Sequence, residues 1–245
     1  MSLKPNTSRL LLFLTITTWV EMDLMMLEML LPDLTKSGVR SLLVYCQKMS
    51  WIKIENLQGK KRVYLTNYGK KELELQFPVF SSKVDQWRGE WELVMFLTPP
   101  KTDPQFRFLR NYLLARQGCV VSRGNYLMPS YMVGQLIEDV YQSYRKSVMI
   151  FSIKEWVFGD EKTFISDNYH LLDLIDSYSG VSNEIDELLE KKKEGSFAND
   201  QQKKVFLSVF SRLASIIQKD SGLLRYYFPD VKGGLCLLSS LEVFL

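Results

Sequence analysis

The sequence predicts an α+β fold in three successive parts, and three patterns predict it. Residues 1–76 read as three helices closed by a basic strand hairpin. Residues 77–158 read as a β-α-β-β-α-β unit, and residues 159–245 as helices alone. Apolar residues make up 46% of the 245-residue chain and charged residues 24%, the balance of a folded globular protein.

In the first part, Ser8 to Trp19 is apolar on most faces and predicts a buried helix. The apolar run Leu10 to Val20 is shorter than the ~18–20 residues of a membrane span, and Glu21 and Asp23 follow it directly. No small-x-small cleavage site follows, and the start is only weakly basic, so a signal peptide is not expected either. The expected location is the cytoplasm, with no membrane partner. Met22 to Leu31 is rich in Met and Leu and predicts a second helix, which Pro32 ends. Thr35 and Ser37 are candidate N-caps of a third helix, running from about Ser37 to Met49. Its Val39, Leu42, Leu43, Cys46 and Met49 recur at spacings of three and four and predict a buried face. Arg40, Ser41, Tyr45 and Lys48 fall off that face. Trp51 to Ile54 and Arg62 to Thr66 then alternate around a Gly-containing loop, the pattern of a hairpin. Three helices followed by a basic hairpin is the order of a winged helix-turn-helix.

Charge sharpens this reading. From Lys36 to Lys71 there are nine Lys/Arg and one acid, Glu55, whereas the whole chain carries only +3. Such a local field attracts polyanions, above all nucleic acid. Arg40, Ser41 and Tyr45 are the candidates for reading base edges in double-stranded DNA. Lys36, Ser37, Lys60, Lys61 and Arg62 are the candidates for holding phosphates. The alternative use of such a module is contact with a partner protein.

In the middle part, Trp91 to Thr98 predicts a strand stopped by Pro99 and Pro100. Pro104 to Gln117 predicts an amphipathic helix with Phe106, Leu109, Leu113 and Leu114 on its stripe, ended by Gly118. Cys119 to Ser122, the turn Arg123-Gly124-Asn125 and Tyr126 to Met128 form the next two strands. Met132 to Tyr144 predicts a helix and Ser147 to Ile153 the last strand. This is the ferredoxin-like split βαβ order, and such units often pair through their sheets.

In the last part, His170 to Tyr178, Asn183 to Lys193 and Asp200 to Lys219 read as helices. The apolar tail Leu223 to Leu245 is expected to pack on the body or on a second copy. Cys46, Cys119 and Cys236 are odd in number and far apart, against a disulfide framework or a structural zinc site. His170 is the single histidine and is read as an ordinary structural or surface residue.

Several segments resemble one family. They are Val39-Arg40-Ser41, Lys61-Arg62-Val63-Tyr64-Leu65-Thr66 with Gly69, Trp87-Arg88-Gly89-Glu90-Trp91, and Gly124-Asn125-Tyr126-Leu127-Met128-Pro129. Leu109-Arg110 with Gly118, and Phe228-Pro229-Asp230-Val231-Lys232-Gly233, belong to the same set. Together they resemble the PaaX family of bacterial transcriptional repressors. The resemblance implies a winged helix, a central ferredoxin-like domain similar to the Cas2 fold, and a helical C-terminal domain. It implies a homodimeric repressor on an inverted-repeat operator, with no enzymatic activity and no cofactor. A small-molecule effector such as an acyl-CoA is the candidate for releasing it. Tyr45 stands where family members often have arginine, and the tail lacks the family's tryptophan. The alternative is a Cas2-like metal-dependent nuclease. Leu97 occupies the place of that enzyme's aspartate, and leucine offers no oxygen to a divalent cation.

Overall fold

The computed structural model describes residues 3–16, 20–21, 24–57, 60–97, 104–115, 118–134, 144, 146–194 and 199–244. Residues 1–81 and 173–245 form one compact unit, and residues 82–172 form a second. The first and last parts of the chain, expected as separate domains, therefore share a unit.

The first unit opens with α1 (Pro5–Phe13), which has proline in its first turn, where the missing N–H costs nothing. Leu10, Leu11, Leu12 and Phe13 are all fully buried, so the last turn of the helix is apolar and buried all round. It ends at Phe13, well before the expected Trp19, which lies outside the described residues. Next come β1 (Val20–Glu21), α2 (Leu24–Leu30), α3 (Lys36–Lys48), β2 (Ile52–Leu57), β3 (Lys60–Leu65) and α4 (Asn67–Gln76). The strands form an antiparallel sheet in the order β1-β3-β2. Sequence reading missed β1 because two residues are too few to show alternation. It also missed α4, whose start is set by a Thr66 cap rather than by an apolar run.

The second unit contains α5 (Ser82–Gln86), β4 (Trp91–Phe96), α6 (Pro104–Ala115), β5 (Cys119–Ser122), β6 (Asn125–Pro129), β7 (Val148–Ile153) and α7 (Glu161–Asn168). Its sheet runs β5-β6-β4-β7 with every neighbouring pair antiparallel. One face carries Val94, Phe96, Tyr126 and Met128 into a core with Leu109, Leu113, Val133 and Tyr144. Leu114, expected on the α6 stripe, is exposed, because one residue past Leu113 turns it ~100° from the core. Residues 130–134 and 144 are helical, and the rest of the expected Met132–Tyr144 helix lies outside the described residues.

The chain then returns to the first unit. The two helices expected at His170–Tyr178 and Asn183–Lys193 are one continuous helix, α8 (Leu171–Lys193). Leu171, Leu174, Tyr178, Val181, Ile185 and Leu188 are all buried at spacings of three and four, so a single apolar stripe runs through. Burial of that stripe outweighs the helix-weakening Gly180. α9 (Asn199–Ile217), α10 (Leu224–Tyr227) and α11 (Gly234–Ser240) complete the unit. Phe13 meets Phe206 and Phe210 edge-on, with ring centroids 6.2 and 5.5 Å apart, which ties the first helix to α9. The apolar tail packs within this unit, burying Leu223, Leu224, Leu237, Leu238 and Leu241. Among the described residues, no helix is long and apolar enough to cross a membrane.

Candidate nucleic-acid interface

The N-terminus of α3 is built by Thr35, whose side-chain oxygen accepts from the Gly38 N–H at 3.2 Å. Of the two candidate caps the structure uses Thr35, so the helix begins at Lys36 and Ser37 lies in its first turn. Val39, Leu43 and Cys46 form the buried face. Met49, expected on that face, is 44% exposed. The helix has ended at Lys48, and Ser50 turns the chain with φ of 59°.

The opposite face carries the candidates. Lys36, Arg40, Val44 and Lys48 form one row at four-residue steps, and Ser37, Ser41 and Tyr45 form the row beside it. All seven are exposed, and the helix contains no acid. Val44, 65% exposed, was missed by the sequence reading. Its place four residues from both Arg40 and Lys48 was the available signal. An apolar group there suits a thymine methyl. Tyr45 is half fixed in place: its ring meets the Trp51 ring edge-on at 5.6 Å.

The hairpin distributes its charges by the pleat. Ile52, Ile54, Val63 and Leu65 share one face through the pairs Ile52↔Leu65 and Ile54↔Val63. Lys53, Glu55, Tyr64, Arg62, Leu57 and Lys60 share the other. Lys60 begins β3, in register with Leu57 at the end of β2, and both Lys60 and Lys61 are exposed. Arg62 lies farther down the strand, half-buried, in register with Glu55 on one side and Glu21 on the other. Lys60 and Lys61 are thus the tip residues, and Arg62 belongs to the hairpin's stem. Glu55, the one acid of the basic segment, is paired with Lys53 at 2.5 Å. That hydrogen bond, helped by Tyr64, holds its carboxyl below the usual range.

The turn between α3 and β2 is clamped to α4. The Thr66 hydroxyl donates to the carbonyls of Ser50 at 2.5 Å and Trp51 at 3.0 Å, and accepts from the Gly69 N–H at 3.1 Å. A Cβ on Gly69 would lie 2.2 Å from the Trp51 carbonyl oxygen. Thr66 and Gly69 therefore fix where α3 ends and the hairpin begins.

Of the remaining residues singled out in the sequence, Cys46 lies on the buried side of α3, and Leu97, Cys119 and His170 belong to the second unit. Leu97 follows β4 directly and is exposed. Burial pushes the thiols of Cys46 and Cys119 up, to about 12 and about 11. His170 is exposed and has φ of 52°.

No protein-family model matches the sequence, and no curated protein matches it. Among solved structures, the uncharacterized protein Rv0674 from Mycobacterium tuberculosis is similar at 10% identity and a TM-score of 0.45. The alignment covers 90% of this chain and 88% of that one. A likeness of that size carries no functional argument.

Proposed function

We propose that the chain is a sequence-specific DNA-binding repressor acting as a homodimer. The observation that carries the reading is the acid-free, fully exposed face of α3, with Arg40 and Val44 at its centre and Lys36 and Lys48 at its ends. The order α1-β1-α2-α3-β2-β3 with sheet order β1-β3-β2 supports a winged helix, with α3 as recognition helix and the β2–β3 hairpin as wing. In this reading Arg40, Ser41, Val44 and Tyr45 meet base edges, and Lys36, Ser37, Lys60 and Lys61 hold phosphates. Arg62 acts in the stem of the wing.

The β5-β6-β4-β7 order supports a ferredoxin-like second unit. Its edge strand β7 contains no charged residue and no proline, so nothing in it discourages pairing. Met149 and Phe151 are exposed on the face opposite the core and lie in register with Met95 and Leu93. We assign the dimer contact to this strand and face. A twofold dimer reads an inverted repeat. A small-molecule effector that releases the repressor belongs to the same reading.

The test compares two variants on the DNA upstream of the chain's own gene. Lys61→Ala should weaken binding to all sequences alike and reduce the salt slope by ~1. Arg40→Ala should cost ~1–3 kcal/mol on the preferred sequence and relax the preference at one position. Unchanged affinity of both variants at several salt concentrations would overturn the assignment of this face.

A further inference from the structure

The first unit holds a second polar centre, built by a carboxylate rather than by lysines. Asp220 follows α9 and is only 1% exposed. Its Oδ2 accepts from the Tyr178 hydroxyl at 2.8 Å, and its Oδ1 accepts from the Gly222 N–H at 2.8 Å. Both donors are neutral, and no Lys, Arg or His side chain forms an ion pair with it among the described residues. Burial accordingly holds its carboxyl above the usual range. A buried carboxylate with neutral partners alone carries a desolvation cost that a cation beside it would offset.

Space for that cation exists. Asp220 lines a cavity of about 200 Å³ together with Gly222, Leu224, Arg225, Pro229 and Gly234. At ~30 Å³ per water, that volume fits a molecule of several heavy atoms. Two glycines hold the backbone close around it. Gly222 has φ of 87°, a region that disfavours side chains. A Cβ on Gly234 would come within 2.7 Å of the Tyr178 hydroxyl oxygen and 2.6 Å of Ile217 Cγ1. The cavity thus presents one buried carboxyl group at Asp220, the exposed side chain of Arg225 and an apolar wall at Leu224 and Pro229.

We infer that this cavity binds a small zwitterion of amino-acid type, its ammonium against Asp220 and its carboxylate against Arg225. The pairing of opposite charges on a short apolar lining selects a molecule that carries both charges over one that carries either alone. The site does not depend on the DNA-binding reading.

Calorimetric titration of the full-length protein with three probes tests it: β-alanine, propylamine and propionate. β-Alanine should bind, propylamine should bind about tenfold more weakly, and propionate should give no heat. Asp220→Asn, which keeps the side chain's size, should lose β-alanine binding by tenfold or more. Arg225→Gln removes the charge from an exposed side chain. It should reduce β-alanine affinity to that of propylamine while leaving propylamine unchanged. No heat from β-alanine at millimolar concentration would overturn the inference. So would equal affinity for propionate, or β-alanine affinity unaltered in the Arg225→Gln variant.

Discussion

Gly69 is where a single side chain decides the geometry of the basic face. The carbonyl that an added Cβ would strike, that of Trp51, already accepts from the Thr66 N–H and hydroxyl, each at 3.0 Å. It cannot move away without losing both. Gly69→Ala should therefore destabilise the protein by about 1–3 kcal/mol despite alanine's better helix propensity. A thermal melt checks this, and a variant as stable as the parent would contradict it. The segment from Lys61 to Thr66, with Gly69, was legible in the sequence as a motif, but its physical meaning was not. Nothing in linear spacing shows that Thr66 reaches back to Ser50 and Trp51. The same holds for Trp87-Arg88-Gly89-Glu90-Trp91. There Gly89 has φ of 92°, the Trp87 indole N–H donates to the Glu90 carbonyl at 2.7 Å, and the two indoles meet edge-on at 5.3 Å. That motif is a packed turn leading into β4. Its conspicuous residues serve the fold.

Among the elements, the regular ones were readable and the composite ones were not. The α3 stripe of Val39, Leu43 and Cys46 and the alternation of β2 and β3 were visible because one buried face imposes one period on each. The division of α8 into two helices failed for a different reason. Gly180 and its serine neighbours look like a break locally, and only burial of Tyr178 and Val181 on both sides shows that the stripe continues. Gly180 itself is exposed, and a Cβ there would have no neighbour within 4 Å. Gly180→Ala should thus stabilise the protein by ~1 kcal/mol, the propensity difference alone. A rise in melting temperature checks it, whereas a fall would mean that the helix is interrupted at this point. The hairpin shows the same limit. Three consecutive basic residues look alike in sequence, but register places Arg62 in the stem between Glu55 and Glu21, away from Lys60 and Lys61 at the tip, and the pleat turns Lys61 to the face opposite Lys60 and Arg62.

The proposed function makes two demands of the whole molecule, a basic reading head and a means of doubling it. Burial of the last turn of α1 and the Phe13–Phe206–Phe210 cluster tie the first helix to α9, so the first unit is assembled from both ends of the chain. That assembly was invisible in the sequence, where the two segments lie more than a hundred residues apart. The doubling is assigned to β7. Phe151→Lys places a charge on the exposed edge strand and should convert the dimer to a monomer in sedimentation. It should also weaken binding to an inverted repeat far more than binding to a single half-site. A variant that stays dimeric would move the contact elsewhere. DNA binding by the purified full-length chain, on its own upstream region and on unrelated DNA across a salt series, bears most directly on the proposed function. A DNA-reading α3 requires sequence-dependent binding whose logarithm falls linearly with the logarithm of salt concentration, together with a footprint over an inverted repeat. Binding that is equally weak on every sequence, or that does not respond to salt, would contradict it.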